Sequence, residues 1–404
     1  MKVLVADAFS PAGMEEMKSS GIEVAYDSAL QGDALAAKLA EFQPEVLVVR
    51  STKVTAAHID ANQNLQLGVR AGAGYDTIDF AYCSTKGIYV ANCPGKNANA
   101  VSELAMGLIL SIDRRSAEGV NMLKTGHWNK GMFANCRGIK GRTLGLIGFG
   151  NIGQLVCRAA KAFDMEVIVS TRTQKAGLDE ELGFTYVSQD ELLARADIVS
   201  LHTPSTPQTK NMVNAEFLGK MKPDSVLINT ARGNVVDEEA LLAKLESCPD
   251  FWVGTDVYLG EPTVKETHDF NHPIAAHPRV YGTHHCGAST QQAEGAIGQE
   301  AVRVIKKFNT EGCVDKFNWV NAAMVNDTPL SKIQVRHLDK VGVLSHCFQV
   351  FASVGWNVQE LENIVFKQRQ ACVANVLFEG DAARAQEVRE QLLANADILS
   401  VSIQ

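Results

Sequence analysis

The sequence predicts an α/β protein built from two doubly wound parallel-sheet domains, with a ferredoxin-like α+β domain at its C-terminal end. Three observations predict this architecture. Strand-like runs alternate with helical segments from Lys2 onward, the same alternation restarts at Thr143, and a β-α-β-β-α-β order begins near Ser331. A chain of 404 residues also exceeds one compact core, since domains usually hold roughly 100–200 residues.

The first α/β unit occupies the N-terminal part of the chain. Ser10 and Pro11 predict a helix start, because serine accepts a bond from a free N–H of the first turn and proline suits the first helical position. The predicted strands are residues 2–6, 22–25 and 46–49, and the predicted helices are residues 14–19 and 34–40. This alternation indicates a parallel sheet that helices cover.

A long apolar segment separates the two α/β units. Residues 100–112 are too many for an ordinary strand and too few to span a membrane, so they predict a buried linking helix. The second unit follows, with predicted helices at 152–163 and 237–245 and predicted strands at 143–147, 166–169, 197–201, 225–229 and 251–255.

The third domain is predicted from its element order. Its predicted strands are residues 332–336, 358–362, 371–378 and 398–403, and its predicted helices are residues 343–354 and 382–393. This is the order of a ferredoxin-like sandwich. Residues 310–329 are rich in Gly, Asn, Asp and Pro and predict the linker that precedes it.

Composition excludes several function classes. Hydrophobic residues make up 46% and charged residues 21%, as in folded globular proteins. The net charge of −8 and a pI near 5.7 argue against a nucleic-acid partner, and the apolar runs are too short for a membrane helix. The N-terminus reaches Asp7 before a signal-peptide core forms, so we expect a cytoplasmic protein. The nine cysteines lack a C-x-x-C pair, which favours reduced thiols.

A glycine-rich loop follows the first predicted strand of the second unit. Gly148, Gly150 and Gly153 fit the G-x-G-x-x-G pattern between a strand and a helix. In that context the first glycine permits a tight turn, the second lets a pyrophosphate approach the backbone, and the third brings helix and strand together. The loop, with Asn151 and Ile152, therefore predicts a dinucleotide site at a helix N-terminus.

The end of the following strand bears on the choice of nicotinamide cofactor. An acid at this position accepts bonds from the adenosine ribose hydroxyls and repels a 2′-phosphate. The chain instead has Ser170, Thr171, Arg172 and Thr173, whose side chains donate to a phosphate dianion. These side chains favour NADP(H) as the cofactor. NAD(H) is the alternative, because no side chain at this position repels it.

Seven motifs stand out along the chain: VRSTKV at 49–54, RAGAG at 70–74, GFGNIG at 148–153, HTP at 202–204, NTARG at 229–233, DVYLGEP at 256–262 and HCGAST at 285–290. In their order and spacing they resemble the D-2-hydroxyacid dehydrogenase family, most closely its D-3-phosphoglycerate dehydrogenase branch. The resemblance implies a substrate-binding domain of residues 1–96 and 287–325. It also implies an inserted dinucleotide-binding domain of 97–286 and a regulatory or assembly domain of 330–404.

The resemblance assigns the chemistry to three residues. It implies that His285 exchanges a proton with the substrate hydroxyl, that Arg232 holds the carboxylate, and that Glu261 tunes the histidine. The set is physically coherent, because a carboxylate beside an imidazole favours imidazolium and orients the ring. His284 stands where the family usually has proline, and the alignment through Gly287 selects His285 as the base.

The resemblance also implies contacts to NAD(P) and to a small phosphorylated 2-hydroxy acid. The implied cofactor contacts are Gly148, Gly150, Asn151, Ile152, Gly153, Thr171, Arg172, Thr203, Thr230, Ala231, Asp256, His285 and Gly287. The implied substrate contacts are Arg50, Ser51, Arg70, Gly72, Ala73, Gly74, Asn97 and Arg232. Among them, Arg50 is implied at the phosphate and Asp256 at the nicotinamide carboxamide.

The C-terminal pattern around residues 337–344 and 355–358 resembles an ACT domain, an amino-acid-sensing module. The resemblance implies either an amino-acid effector such as serine or a purely assembly role, in a homodimer or homotetramer. Asp339 stands where serine-inhibited members have asparagine, and Val341 replaces the usual proline. Both roles therefore stay open.

Other functions compete with oxidation of 3-phospho-D-glycerate. An NADPH-dependent glyoxylate or hydroxypyruvate reductase fits Arg172, whereas Arg50 and the ACT-like segment argue against it. A redox-sensing corepressor needs protein-docking grooves rather than a phosphate pocket. A metal site is disfavoured because the histidines in question lie in a loop-like, proline-containing segment. These are His268, His272, His277, His284 and His285.

Overall fold

The computed structural model describes residues 1–262, 267, 269–322, 330–367 and 369–403. The chain forms two compact units, Met1–Asn321 and Ala322–Gln404. The first unit holds two parallel sheets, and the second holds an antiparallel sheet. The predicted fold class is thereby confirmed. Within the described residues, no helix is both long and apolar enough to cross a membrane.

The first sheet comes from the N-terminal part of the chain. Its elements are β1 Lys2–Val5, α1 Pro11–Ser19, β2 Glu23–Tyr26, α2 Gly32–Phe42, β3 Val46–Val49, α3 Ala56–Asp60, β4 Leu67–Arg70, α4 Phe80–Thr85 and β5 Tyr89–Asn92. The strands pair in parallel in the order β2-β1-β3-β4-β5. Helix α1 starts as predicted, with Ser10 Oγ accepting a bond from the Gly13 N–H at 3.4 Å and Pro11 in the first turn.

The second sheet begins after helices α5 Ala98–Arg114 and α6 Ser116–Lys124. Its elements are β6 Thr143–Ile147, α7 Asn151–Ala162, β7 Glu166–Ser170, α8 Leu178–Leu182, β8 Thr185–Tyr186, α9 Gln189–Arg195, β9 Ile198–Leu201, α10 Ala215–Lys220, β10 Val226–Asn229, α11 Glu238–Ser247, β11 Trp252–Thr255 and β12 Val280–Gly282. These strands pair in parallel in the order β12-β11-β10-β9-β6-β7-β8. The strand order reverses at β6, which has β9 on one side and β7 on the other. Doubly wound sheets bind ligands at such a reversal.

Two long helices complete the cores of the two sheets. Ile109 of α5 is buried in the second-sheet core beside Leu144, so the predicted linking helix belongs to that core. Helix α12, Gln291–Glu311, follows the second sheet in sequence. Ile305 of α12 is nevertheless buried in the first-sheet core beside Val5 and Val48. The first core is therefore built from two separated stretches of chain.

The prediction that residues 310–329 form a linker is wrong for their first part. Helix α12 runs to Glu311, and the following segment packs on the first sheet through a bridge between Trp319 and Ala91. Asn318 is fully buried, and its Nδ2 donates to the Asn92 carbonyl at 2.9 Å. The polar composition that suggested a loop instead supplies side chains that pair with backbone. Residues 323–329 of the predicted linker lie outside the described residues.

An ion cluster around the buried Glu300 fixes this segment to α12. The Glu300 carboxylate accepts bonds from Arg303 Nη2 at 2.8 Å, from Asn318 Nδ2 at 3.0 Å and from Lys96 Nζ at 3.3 Å. The bond from Arg303 contributes most and, with Asn318 and Lys96, lowers the pKa of Glu300 to about 2 despite its burial. The cluster thus contains a carboxylate that is ionised in the folded protein at any ordinary pH.

The second unit has the predicted β-α-β-β-α-β order with longer strands than predicted. Its elements are β13 Ser331–Leu338, α13 Val343–Ser353, β14 Asn357–Val365, β15 Ala371–Glu379, α14 Ala385–Leu393 and β16 Ile398–Ile403, with a 3-10 turn at Ala382–Arg384. The sheet order is β14-β15-β13-β16, and the pairs are antiparallel. This is the strand order of a ferredoxin-like sandwich.

The ion cluster predicts a specific acid sensitivity. Because the pKa of Glu300 is lower in the folded state than its ordinary value of 4.5, its contribution to stability is complete above pH 4.5 and is lost as the pH falls toward 2. We expect wild type to lose about 3 kcal/mol of unfolding free energy over this interval from this group. In Glu300→Gln that part of the pH dependence is absent, and stability at pH 7 is lower. Urea unfolding of both proteins between pH 7 and pH 2 measures the difference.

The control for this experiment is Glu180→Gln, which removes an exposed carboxylate from α8. It should retain the wild-type slope. A Glu300→Gln protein with the wild-type pH slope would contradict the assignment.

Candidate active site

A cleft in the first unit gathers residues from the carboxyl ends of both parallel sheets. Its cavity has a volume of about 300 Å³. It is lined by Arg70, Ala73, Gly74, Tyr75, Asp76, Asn97, Val101, Ile152, His202, Thr203, Pro204, Ser205, Thr230, Ala231, Arg232, Asp256, His285, Gly287 and Ala288. Most follow β4, β9, β10 or β11, and loops at these strand ends are where α/β proteins place ligand contacts.

His285 and Glu261 are paired at this cleft. His285 Nδ1 lies 2.5 Å from Glu261 Oε2, and the other carboxylate oxygen accepts a bond from the Tyr258 N–H at 2.7 Å. The backbone bond holds the glutamate in place, and the glutamate orients the imidazole ring. With Nδ1 engaged, Nε2 is the ring nitrogen that meets a molecule in the cavity. The two residues are 24 positions apart in sequence, and only folding joins them.

The loop that carries His285 is held by Asp256. The buried Asp256 carboxylate accepts bonds from Thr283 Oγ1 at 2.5 Å and from the N–H groups of Cys286 and Gly287 at 2.9 Å each. The Asp256 carbonyl also accepts a bond from the His285 N–H at 2.8 Å. His285 has a left-handed φ of 48°, so the loop turns sharply where the ring enters the cleft. The carboxylate implied at the nicotinamide carboxamide is thus engaged in holding this loop.

Arg232 reaches the cleft from the end of β10. Its Nη1 donates to the Ala231 carbonyl at 2.8 Å, and its Nη2 lies 3.4 Å from Asp76 Oδ1. Burial alone would raise the pKa of Asp76, but the charge and hydrogen bond of Arg232, with a backbone bond and the charge of Arg70, together hold that pKa below its usual value. A Cβ on Gly74 would lie 2.0 Å from Arg232 Nη2, so the guanidinium occupies space that only glycine leaves.

Arg70 supplies a second guanidinium group to the same cleft. Its Nε donates to the Arg50 carbonyl at 3.0 Å. Burial, with repulsion from Arg232, lowers the pKa of Arg70 to about 10, so the group is still cationic at neutral pH. Gly72 has a φ of 152°, and a Cβ there would lie 1.8 Å from Arg70 Nη1. The glycines of the 70–74 motif therefore make room for two arginine side chains.

The glycine-rich loop adopts the geometry that its sequence predicts. Gly148 has a φ of 89°, and a Cβ there would lie 2.5 Å from the His202 carbonyl oxygen. A Cβ on Gly153 would lie 2.7 Å from the Gly148 carbonyl oxygen, whereas a Cβ on Gly150 would meet nothing within 4 Å. The first and third glycines thus serve close packing, and the space beside the second is open at the start of α7. Asn151 is exposed beside it, and Ile152 lines the cleft.

Unpaired polar atoms in the cleft fit a bound nucleotide. Thr203 Oγ1, Thr230 Oγ1 and Asn97 Oδ1 are buried and have no hydrogen-bond partner among the described residues. All three residues line the cavity. A buried polar group without a partner costs about 1–3 kcal/mol, which a ligand that bonds to it removes. Ribose hydroxyls and a carboxamide are groups of the kind that these atoms bind.

Several residues implied by the sequence do not line this cleft. Arg50 lies at the end of β3, and its Nη1 pairs with Glu294 Oε1 at 2.9 Å. Ser51 Oγ donates to Asp7 Oδ1 at 3.1 Å. Arg172 is exposed just beyond β7, next to the half-buried Thr171.

Sequence reasoning missed some residues that do line the cleft. They are Tyr75, Asp76, Val101, His202, Pro204, Ser205 and Ala288. His202 Nε2 lies 2.9 Å from Ser200 Oγ, and burial lowers the pKa of His202 to about 4, so its ring is neutral. The position of His202 directly after β9 was the available signal, since strand ends line such clefts. Asp76 had no sequence signal, because its partner Arg232 is 156 residues away.

In the part of the chain that the structure describes, no three His, Cys, Asp or Glu side chains are grouped to hold a metal ion. His268, one of the histidines considered for a metal site, lies outside the described residues.

Residues 106–287 match a family model described as "D-isomer specific 2-hydroxyacid dehydrogenase, NAD binding domain". The chain is 42% identical over 264 residues to a hydroxypyruvate reductase of Thermotoga maritima, covering 65% of this chain and 84% of that protein. It is 36% identical over 309 residues to a D-3-phosphoglycerate dehydrogenase of Methanocaldococcus jannaschii, covering 76% of this chain and 57% of that protein. The chain therefore spans little more than half of the latter relative.

Among solved structures, the chain is similar to the NAD+-bound 3-phosphoglycerate dehydrogenase of Entamoeba histolytica. The TM-score is 0.65 at 28% identity, and the match covers 80% of this chain and 99% of that one.

The open space at Gly150 predicts a separation between folding and dinucleotide binding. Gly150 has a φ of −80°, which alanine adopts, so Gly150→Ala should leave the melting temperature unchanged. If a pyrophosphate lies against this backbone, the added methyl group should weaken dinucleotide binding by about tenfold or more, because charge-assisted bonds are lost. Binding is measured by fluorescence titration with NADH and NADPH.

Gly219→Ala is the matched control, since Gly219 is an exposed helical position where a Cβ also meets nothing within 4 Å. Unchanged dinucleotide affinity in Gly150→Ala would place the pyrophosphate elsewhere.

Proposed function

Since the chain belongs to the D-isomer-specific 2-hydroxyacid dehydrogenase family, we propose that it interconverts 3-phospho-D-glycerate and 3-phosphooxypyruvate, the reaction that opens L-serine synthesis. The observation that carries this proposal is the pair of guanidinium groups, Arg70 and Arg232, in one cleft with His285. A 2-hydroxy acid has one carboxylate for one arginine. A second arginine suits a second anionic group, and a phosphate is such a group.

Arg232 and His285 have complementary roles in the proposed reaction. Arg232 holds the substrate carboxylate and polarises the C2 oxygen with its planar fork. During oxidation His285 accepts the hydroxyl proton at Nε2, and during reduction it returns a proton from Nε2 to the carbonyl oxygen. The Glu261 carboxylate at Nδ1 stabilises the imidazolium formed by oxidation. A bound nicotinamide accepts or supplies the hydride.

Other cleft residues are proposed to hold the dinucleotide in position for this exchange. The open backbone at Gly150 and the start of α7 suit the pyrophosphate. The unpaired hydroxyls of Thr203 and Thr230 suit the ribose and carboxamide groups. Asp256 acts on the reaction by holding the His285 loop.

One observation favours a second candidate, a hydroxypyruvate or glyoxylate reductase. Arg50, the cation that the family resemblance implies at the phosphate, is paired with Glu294 rather than directed into the cleft. The relative with 42% identity is named a hydroxypyruvate reductase, and its substrate has no phosphate. The two candidate activities share the proton and hydride chemistry. They differ in the group attached to the 2-oxo acid, which carries a phosphate only in the first candidate.

A pair of substrates that differ only in the phosphate decides between the candidates. We expect wild type to reduce 3-phosphohydroxypyruvate with a higher kcat/KM than hydroxypyruvate or glyoxylate, because Arg70 adds an attraction that only the phosphorylated acid uses. His285→Gln should lower kcat on each substrate by about 100-fold or more, since general acid–base catalysis contributes about 10²–10⁴-fold. Steady-state NAD(P)H absorbance measures both quantities.

The outcome against the first candidate is a clear preference for hydroxypyruvate or glyoxylate, which would establish the reductase. Lys140→Gln, which removes an exposed cation paired with Asp164, is the control for a general loss of charge.

The family binds NAD(P), and we propose that this chain prefers NADP(H). Arg172 is exposed at the end of β7 with hydroxyl side chains on either side, and no acidic side chain stands at this position. An arginine there attracts the adenosine 2′-phosphate, whereas the usual acid would repel it.

Arg172→Ala tests the cofactor preference. A bond to a charged group contributes about 1.5–3 kcal/mol, so the variant should lose roughly tenfold to 100-fold in kcat/KM for NADPH while that for NADH changes little. Arg158→Ala is the control, because Arg158 is an exposed arginine of α7 that pairs with Glu181 instead. An unchanged ratio of the two kcat/KM values would contradict the proposal.

We also propose roles for the remaining parts of the chain. The substrate-binding domain is residues 1–96 and 287–325, and the dinucleotide-binding domain is residues 97–286. The ferredoxin-like unit serves regulation by an amino acid or assembly of a homodimer or homotetramer, and the site of action is the cytoplasm. In the ferredoxin-like unit Asp339 Oδ2 lies 3.8 Å from Arg369 Nε, a cation that would offset its charge toward a carboxylate ligand.

A further inference from the structure

A second cavity in the first unit shares the 70–74 stretch of chain with the cleft. It has a volume of about 400 Å³ and is lined by residues at the start of α1 and α12, together with Arg50 and Ala71. Ala71 stands in sequence between Arg70 and the pair Ala73 and Gly74, and these three residues line the cleft. The Arg70 Nε also donates to the Arg50 carbonyl at 3.0 Å. Neighbouring residues of the same short stretch therefore line both cavities.

The backbone that carries Arg50 is fixed. Asp7 Oδ2 accepts bonds from the N–H groups of Arg50 at 2.7 Å, Ser51 at 3.0 Å and Thr52 at 2.9 Å. Burial by itself would raise the pKa of Asp7, but these backbone bonds hold it below its usual value, so the acceptor is ionised. Any redirection of the Arg50 guanidinium must then come from its side-chain torsions.

The Arg50 guanidinium is held in the second cavity by an ion pair with Glu294. Nη1 and Oε1 are 2.9 Å apart, and the two side chains are 28% and 49% exposed. Glu294 lies in the first turn of α12, which Thr290 caps. Solvent-exposed pairs of this kind are weak and exchange readily with another anion. The charges that face Arg50 are thus Glu294 on one side, Arg70 on the other and Asp7 beneath its backbone.

We propose that Glu294 is a specificity-determining residue, which competes with the substrate phosphate for Arg50 and so sets the preference between phosphorylated and unphosphorylated 2-hydroxy acids. This inference rests on the proposed function, because it concerns the substrate of the same site. With Glu294 ionised, the local charge of the Arg50 side chain is neutralised, and an arriving phosphate dianion meets a carboxylate as well as a cation. Without the carboxylate, Arg50 turns to the phosphate unopposed.

The test is a double-mutant cycle with two substrates that differ only in the phosphate. Glu294→Gln, Arg50→Gln and the double variant are compared with wild type on 3-phosphohydroxypyruvate and hydroxypyruvate. Glu294→Gln should raise the ratio of kcat/KM for the phosphorylated over the unphosphorylated substrate by about fivefold to tenfold. The rise should vanish in the Arg50→Gln background and shrink at high ionic strength, because screening weakens exposed charges.

Glu311→Gln is the matched control, since Glu311 lies at the other end of α12 and pairs with Lys307. It should leave the ratio unchanged. Hydroxypyruvate turnover by each variant verifies that the protein is folded. An unaltered ratio in Glu294→Gln, or a rise that persists without Arg50, would overturn the inference.

These outcomes differ from those that test the proposed function. Wild type that prefers the unphosphorylated acid, together with a Glu294→Gln variant that gains phosphorylated substrate through Arg50, would overturn the proposed function and support the inference. Wild type that prefers the phosphorylated acid, with no change in Glu294→Gln, would do the opposite. If neither protein turns over the phosphorylated acid, both are overturned.

Discussion

The candidate site depends on the hydrogen bonds that converge on the buried Asp256 carboxylate. Three donors from residues 283–287 reach its two oxygens, and the His285 N–H reaches its carbonyl. A loop with few apolar contacts would otherwise sample many conformations. Because it is tied to the end of β11, the His285 ring meets Glu261, whose own backbone partner Tyr258 lies two residues beyond Asp256. One strand end thus positions both members of the pair.

Close backbone approach is the second constraint on this cleft. The Gly72 and Gly74 positions leave room for the guanidinium groups of Arg70 and Arg232, and Gly148 leaves room for the His202 carbonyl. A methyl group at any of these positions would displace either a charged side chain or a strand end. The glycines are therefore part of the electrostatics of the site, since they decide how near the two cations stand to each other.

Local patterns predicted many elements of this chain, because hydrophobic periodicity and turn residues act over a few positions, but they did not predict β4, β5 or α12. The starts of α1 and α7 and the order of the ferredoxin-like unit follow from such patterns. The packing of the segment after α12 could not be predicted in this way. Asn318 is typical of a loop, and the bond from its amide to the Asn92 carbonyl joins residues 226 positions apart. The Asp76–Arg232 and Arg50–Glu294 pairs escaped prediction for the same reason.

The amino-acid sequence by itself determined the fold class, the glycine-rich loop and the residue types available for proton exchange. Each of these follows from residues that are close together in sequence. Which of these residues share a cleft was decided only by tertiary structure. His285 meets Glu261, and Arg70 stands with Arg232, because two parallel sheets direct their carboxyl ends toward one cavity. Arg50 pairs with Glu294 of α12, a helix that follows the second sheet in sequence but packs in the core of the first. Electrostatic attraction depends on distance in space and not on separation in sequence. The partner of a charged side chain is therefore decided by which distant segments pack together.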